Sequence, residues 1–280
     1  MLIDFHAHCF PDALAGRAIA ALAERSGLAP CFEGTVSGFK ALMERERVDG
    51  AVLLNIATNE RQQGRVNDFA IAVQLGEPKL HAFGSVHPKA PDFEAELLRL
   101  KGAGIRGVKL HPDYIATFAD APELDPIYEQ AAALGLCVVL HAGWDFVSPN
   151  LIYATPERIL NVTKRHKTLN LIAAHLGGFR QWAGAEALLA GQNLYLDTSF
   201  AFGEIEPEQA RRILQKHDEN RLLFGSDAPW LSPKKSFEGL DSLHFPGAWM
   251  EKVCSGNALR LLEEGTKKGT RCILKRERSS

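Results

Sequence analysis

Residues 136–143 read L-C-V-V-L-H-A-G, and the rest of the chain repeats their plan. An unbroken apolar run ends on a polar side chain and then on a turn residue. Continuous apolar runs without polar alternation mark parallel strands covered on both faces. Toward the N-terminus the same plan recurs at Ile105–Leu110, His81–Val86, Gly50–Asn55 and Leu2–Phe5. Toward the C-terminus it recurs at Leu169–Ala174, Leu194–Leu196 and Leu222–Phe224. With Cys137–Leu140 these make eight expected strands.

Amphipathic stretches lie between them. Ser37–Val48 opens with a Ser cap and places Phe39, Leu42 and Met43 at helical spacing. Pro91–Gly102 carries Asp92 and Glu94 in its first turn. Pro126–Gly135 follows a cap at Asp125, and Pro156–His166, Pro207–His217 and Pro246–Leu262 each begin on proline, suited to a first helical turn. Gly102, Gly135 and Gly265 are expected stops. Strand and helix in alternation imply βαβ units and a parallel sheet. Eight units predict an α/β fold, a single (β/α)8 TIM barrel over residues 1–264 followed by a basic tail, 265–280. An open doubly wound sheet is the structural competitor. No Walker loop is present, and the only G-x-G-x-x-G, residues 102–107, leads into a strand rather than a helix.

The composition sets limits. The 280 residues are 46% hydrophobic and 24% charged with a net charge of -2, ordinary for a globular chain. Nothing argues for a nucleic acid or membrane partner. The longest apolar runs fall far short of a membrane span, and M-L-I-D-F-H-A-H-C-F lacks the basic start and apolar core of an export signal. Five cysteines without a CxxC pair predict free thiols. A soluble cytoplasmic protein is the default, and a homodimer the base-rate expectation.

His6 and His8 follow the first strand two residues apart, so on an extended chain their side chains point the same way. Alone the pair is weak. Other strand ends strengthen it: V-K-L-H-P gives Lys109 and His111, V-V-L-H-A-G gives His141, I-A-A-H-L-G-G gives His175, and L-F-G-S-D-A-P gives Asp227. In a parallel barrel these ends converge on one face. Imidazole and carboxylate suit zinc, and also manganese, iron or cobalt. Singly, each residue has a plain alternative: His141 and His175 as core or capping residues, Asp227 as a turn cap, Lys109 as an ion-pair partner. The joint placement favours a metal site. Phe10, Asn55, His87, His111, Tyr114, Trp144, Asp145, Arg180, Trp182, Phe200 and Trp230 are candidates to line its pocket. His111, Trp144, Arg180 and Trp230 are expected to bind a small-molecule substrate, with Arg180 placed to meet a carboxylate. His81, His166, His217 and His244 are expected to be structural or exposed.

The stretches D-F-H-A-H at 4–8, G-V-K-L-H-P at 107–112, V-L-H-A-G at 139–143, A-H-L-G-G at 174–178, L-D-T-S at 196–199, F-G-S-D-A-P at 224–229 and G-N-A-L-R-L-L at 256–262 resemble the amidohydrolase superfamily. The likeness is to the amidohydrolase 2-type hydrolases, which include aminocarboxymuconate-semialdehyde and resorcylate decarboxylases. The resemblance implies that His6, His8 and Asp227 hold a divalent ion, expected to be zinc, with His141 as fourth ligand and His175 as a catalytic group beside the substrate. In two-metal members a carboxylated strand-four lysine bridges the ions. Lys109 occupies that place, with His175 on the second ion; one ion is preferred, as in the most similar members. The TatD-type phosphoester hydrolases usually carry glutamate where Lys109 stands.

The expected chemistry is hydrolysis of an amide, lactone or ester-like bond by a metal-activated water, with Asp227 as base and His175 stabilising charge. A G-x-S-x-G elbow is absent around Ser226, and Cys9 beside His8 is expected to pack rather than react. The alternatives are non-oxidative decarboxylation of an aromatic or unsaturated acid, and a non-catalytic barrel that binds metal or ligand.

Overall fold

The computed structural model of the chain describes residues 1–263; the tail 265–280, with the stop at Gly265, lies outside the described residues. Eight parallel strands occur in the order the apolar runs predict: β1 (Ile3–Ala7), β2 (Gly50–Leu54), β3 (Leu80–Phe83), β4 (Gly107–Leu110), β5 (Cys137–Leu140), β6 (Asn170–Ala173), β7 (Tyr195–Asp197) and β8 (Leu222–Leu223). They pair sequentially as β1–β2–β3 and β4–β5–β6–β7–β8. The two arcs join at both seams. Gly84 bridges Val108 beyond β3, and Ala7 bridges Ala228 beyond β8. Lys109 donates its amide to Gly84 O at 2.8 Å, Phe5 to Phe224 O at 2.8 Å and Asp227 to His6 O at 2.7 Å. The ring is therefore closed, as the eight-unit reading expects.

Two apolar layers sandwich the strands. Phe5, Leu54, Phe83, Val139, Ile172 and Leu223 form a cluster that also takes Ala258, Leu261 and Leu262 from the last helical turns. The alternate residues, such as Val108, Val138 and Leu171, join the larger cluster with the helices. In β1 the pairing register shifts between Asp4 and Ala7. Phe5 packs in the first cluster and Ala7 in the outer one, and His6 and His8 lie together at the strand's end.

Several helix expectations need correction. The helix α2 (Val36–Glu46) is capped by Thr35, whose hydroxyl accepts from Gly38 N, rather than by Ser37. Asp125 is the first residue of α5 (Asp125–Leu134) and makes no cap; its carboxylate meets His166 at 2.8 Å. Gly135 does end α5 in the left-handed region, at φ 65, but Gly102 lies inside α4 (Phe93–Gly102), and Gly104 takes the positive φ. The helix expected over Pro246–Leu262 is broken by a π-turn at Lys252–Gly256 after Gly247–Glu251. Four helices escaped sequence reading: α1 (Asp12–Ser26), α3 (Gln63–Gly76), α7 (Trp182–Leu188) and α9 (Pro233–Asp241). In α3 the reason is visible. Its inward face carries Gln63 and Asn67 beside Ala70 and Val73, and Asn67 is held by Ser85 and Glu96, so the apolar period is masked.

Candidate metal centre

The C-terminal ends of the strands open into one cavity. Its polar lining includes His6, His8, Lys109, His111, His141, Asp145, His175 and Asp227; its apolar lining includes Phe10, Trp144, Phe146, Phe179, Phe200 and Trp230. Strands 1, 4, 5, 6 and 8 thus contribute as their sequence endings predict.

The ring nitrogens decide the chemistry. His6 Nδ1 lies 2.8 Å from Asp197 Oδ2, and His8 Nδ1 lies 2.8 Å from the Leu54 carbonyl oxygen. Both partners only accept, so each Nδ1 carries the proton and each Nε2 presents a lone pair. Those lone pairs converge on one carboxylate oxygen: Asp227 Oδ1 is 3.3 Å from His6 Nε2 and 3.1 Å from His8 Nε2. Burial, then the charge of Lys109, lowers His6 to about 4 against the pull of Asp197. Burial works to raise Asp227, but the neighbouring His8, His6 and His175 side chains outweigh it and hold the carboxyl at about 2. Two lone pairs that face one carboxylate oxygen, all three atoms within 4.8 Å of one another, suit a cation among them. Their spacing is what ligand bonds of about 2.0–2.2 Å to one ion produce.

A second relay orients His141. His175 Nδ1 is 2.9 Å from the Ser199 carbonyl oxygen and so donates. Its Nε2 then accepts from His141 Nδ1 at 3.1 Å, which leaves His141 Nε2 as a lone pair; that atom is buried and unpartnered. The triad His6, His8 and Asp227 forms one group of ligand atoms within 4.8 Å, whereas His141 falls into a neighbouring group with His111 and Asp145. Neither ring nitrogen of His175 is left to face a substrate. Lys109 Nζ, fully buried, sits 3.5 Å from His6 Nε2. Burial lowers it to about 8, against the attraction of Asp197, Asp227 and Asp145.

Backbone strain accompanies the site. His175 and Asp227 both adopt left-handed φ, 58 and 70, a conformation that costs a β-carbon-bearing residue about 1 kcal/mol or more and persists where surroundings over-determine it. At Asp227 the fixing comes from Asp4, which accepts from Ser226 N at 2.9 Å and from Ser226 Oγ.

The expected substrate residues divide. His111, Trp144 and Trp230 line the cavity. Arg180 does not: it pairs with Glu204 at 3.0 Å and lies over Trp144, Phe146 and Phe179 on the rim, its side chain 44% exposed. Asn55, His87 and Trp182 also point elsewhere. Asn55 donates to Phe83 O, His87 accepts from Lys89 N, and the Trp182 indole donates to His175 O. Sequence reasoning missed Asp197 and Ser199, which hold His6 and His175 from beneath. The L-D-T-S stretch at the end of β7 was the available signal. It also missed the roof, where Leu22, Ser26 and Leu28 reach over the cavity from α1 and the loop after it.

Residues 3–263 match the family model described as amidohydrolase. The chain belongs to the amidohydrolase family. A TIM-barrel protein of Bordetella bronchiseptica superposes on this amidohydrolase with a TM-score of 0.77 at 23% identity, covering 95% of this chain and 99% of the other. A 2,6-dihydroxybenzoate decarboxylase follows with 0.73 at 16%, covering 94% and 99%. A 5-carboxyvanillate decarboxylase of Sphingomonas paucimobilis gives 0.68 at 16%, covering 94% and 98%. At these identities the likeness speaks for the fold. No curated protein matches the sequence. The enzyme is a metal-dependent member of the superfamily, and among the described residues no helix is long and apolar enough to cross a membrane.

Proposed function

We propose that this amidohydrolase cleaves an amide, lactone or ester-like bond in a small molecule. The reading rests on one divalent ion held by His6, His8 and Asp227, with His141, whose Nε2 is buried and unpartnered, as fourth ligand. The observation that carries it is the convergence of two unprotonated Nε2 atoms on a single Asp227 oxygen. An ion bound there supplies Lewis acidity, polarising a carbonyl and lowering the pKa of a water from about 15.7 to about 7.

The chain's own groups supply the rest. Asp227 engages the imidazoles through Oδ1, which leaves Oδ2 to take a proton from the attacking water and return it to the leaving group. Asp197 and Leu54 O keep His6 and His8 in the ligating tautomer. His175 does the same for His141, so its role is positioning. The Lys109 ammonium, charged at neutral pH and beside His6, stabilises negative charge developing on the substrate oxygen. Zinc suits this nitrogen-and-oxygen set. Manganese, reported in a structurally similar dihydroxybenzoic acid decarboxylase of Polaromonas, is the metal to compare with it.

A second reading, non-oxidative decarboxylation on the same centre, is favoured by the aromatic wall of Phe146, Phe179, Phe200 and Trp230, which suits a flat ring. The neighbours that act on dihydroxybenzoate and carboxyvanillate point the same way. The test is to load the stripped enzyme with zinc or manganese and offer lactones, amides and aromatic acids. Metal-dependent hydrolysis without carbon dioxide release supports the first reading; release from an acid supports the second. Full activity of the stripped enzyme would contradict both.

A further inference from the structure

The aromatic rings of the cavity gather on one side of its mouth. Phe146 follows β5, Phe179 follows β6 and Phe200 follows β7. They pack on one another, with ring centroids 5.5, 5.9 and 5.6 Å apart. In a ring of eight strands, β1 and β2 stand across the axis from β5 and β6. The wall on their side is aliphatic. Leu22 and Leu28 come from the excursion between β1 and α2, and Ile56 from the turn after β2.

One helix face makes much of this wall. Ala15, Ile19, Leu22 and Ser26 succeed one another in α1 at helical spacing and so share a face. The face changes duty along the helix: Ala15 and Ile19 are buried, whereas Leu22 and Ser26 are half-buried and line the cavity. The excursion is tied at its base. Ile19 and Phe10 close on Gly34, where a β-carbon would meet Ile19 Cγ1 at 2.5 Å. Phe10 N donates to Gly34 O and Cys31 N to Pro229 O, each at 2.8 Å. These contacts hold Leu22 and Leu28 over the cavity.

Polar groups on this side are already engaged. Ser26 Oγ accepts from Leu28 N at 3.2 Å, and Thr58 Oγ1 donates to Gln62 Oε1 at 2.9 Å. Arg25, on the same helix, is exposed and outside the lining. A polar group carried to the α1 side gives up water for partners that are already bonded. An alkyl group gains by leaving water there, and Leu22, Leu28 and Ile56, all half-buried, gain with it.

We propose that Leu22, Leu28 and Ile56 form a subsite for an aliphatic group, so that the substrate of this amidohydrolase carries an alkyl chain or aliphatic ring on the side away from the aromatic wall. The inference deepens the proposed function and rests on its metal centre, on which the probes are anchored.

The n-alkyl hydroxamates from acetohydroxamate to hexanohydroxamate are titrated calorimetrically into the zinc-loaded enzyme. Each methylene taken fully from water is worth roughly fourfold in affinity. Hexanohydroxamate is expected to bind the wild type at least about tenfold more tightly than acetohydroxamate, and Leu22→Ser and Leu28→Ser are each expected to cut that ratio by at least about threefold. Ile56→Thr, which keeps the β-branched shape, reads the same ratio where a leucine variant fails to fold. A wild-type ratio below about tenfold overturns the subsite alone. A ratio that every folded variant keeps also overturns it, because the chain then lies on the aromatic wall. Failure of every hydroxamate to bind overturns the metal centre and the subsite with it.

Discussion

Asp197 holds the ring of His6 in one tautomer without belonging to the triad itself. Its carboxylate accepts from His6 Nδ1, His175 N, Ser199 N and Ser199 Oγ. Burial alone would raise its pKa, yet His6, His175 and Ser199 together hold it well below the usual range. Asparagine would turn an amide donor toward a ring of donors and release the His6 tautomer. Asp197→Asn is therefore expected to weaken zinc binding by about 10–100-fold; chelator competition measures it, and unchanged affinity would remove Asp197 from the centre. His217, remote from the site, makes a pH prediction. Its Nε2 donates to Leu194 O at 3.0 Å and its Nδ1 accepts from Gly191 N at 3.1 Å, a pattern only the neutral ring can make. Burial lowers it to about 4 from 6.5. Between those values the unfolded chain binds a proton that the fold refuses. Its contribution is thus complete above about 6.5 and lost as pH falls toward about 4, about 3 kcal/mol in all. Melting temperatures from pH 4 to 7 should fall more steeply with acid in the wild type than in His217→Gln. Equal slopes would contradict this.

At the scale of elements, the site depends on how strands continue past their ladders. Gly143, just beyond β5, bridges Phe179, just beyond the turn after β6. The Phe179 amide donates to Ala142 O, and the Trp144 amide donates to Phe179 O. Gly143 has φ 92, and a β-carbon there would meet Phe179 N at 2.2 Å and Phe179 O at 2.3 Å. Backbone cannot give way as a side chain can. Gly143→Ala is expected to destabilise the fold by about 3 kcal/mol or more and to lower activity further by moving His141 and Asp145. A denaturant midpoint unchanged from the wild type would refute the close approach. The strands and their polar endings were legible because burial on both faces leaves only apolar residues until the barrel opens. What the sequence concealed was non-local. The inward face of α3 is polar because Asn67 satisfies Ser85 and Glu96. The roof from α1 touches the cavity only through folding. Arg180 has the right residue type in the right loop, but Glu204, 24 residues on, takes its charge.

At the scale of the whole molecule, closure makes the chemistry. The seam hydrogen bonds from Phe5 to Phe224 and from Asp227 to His6 place the first strand beside the last. Residues 219 and 221 positions apart, His8 and His6 against Asp227, thereby share one oxygen's surroundings. The most direct test is the metal content of the purified protein by elemental analysis. Wild type is expected to hold about one divalent ion per chain, and His6→Asn, His8→Asn and Asp227→Asn to lose it while remaining folded. A wild type without a divalent ion, or variants that keep the wild-type content, would contradict the convergence of these three side chains on a cation.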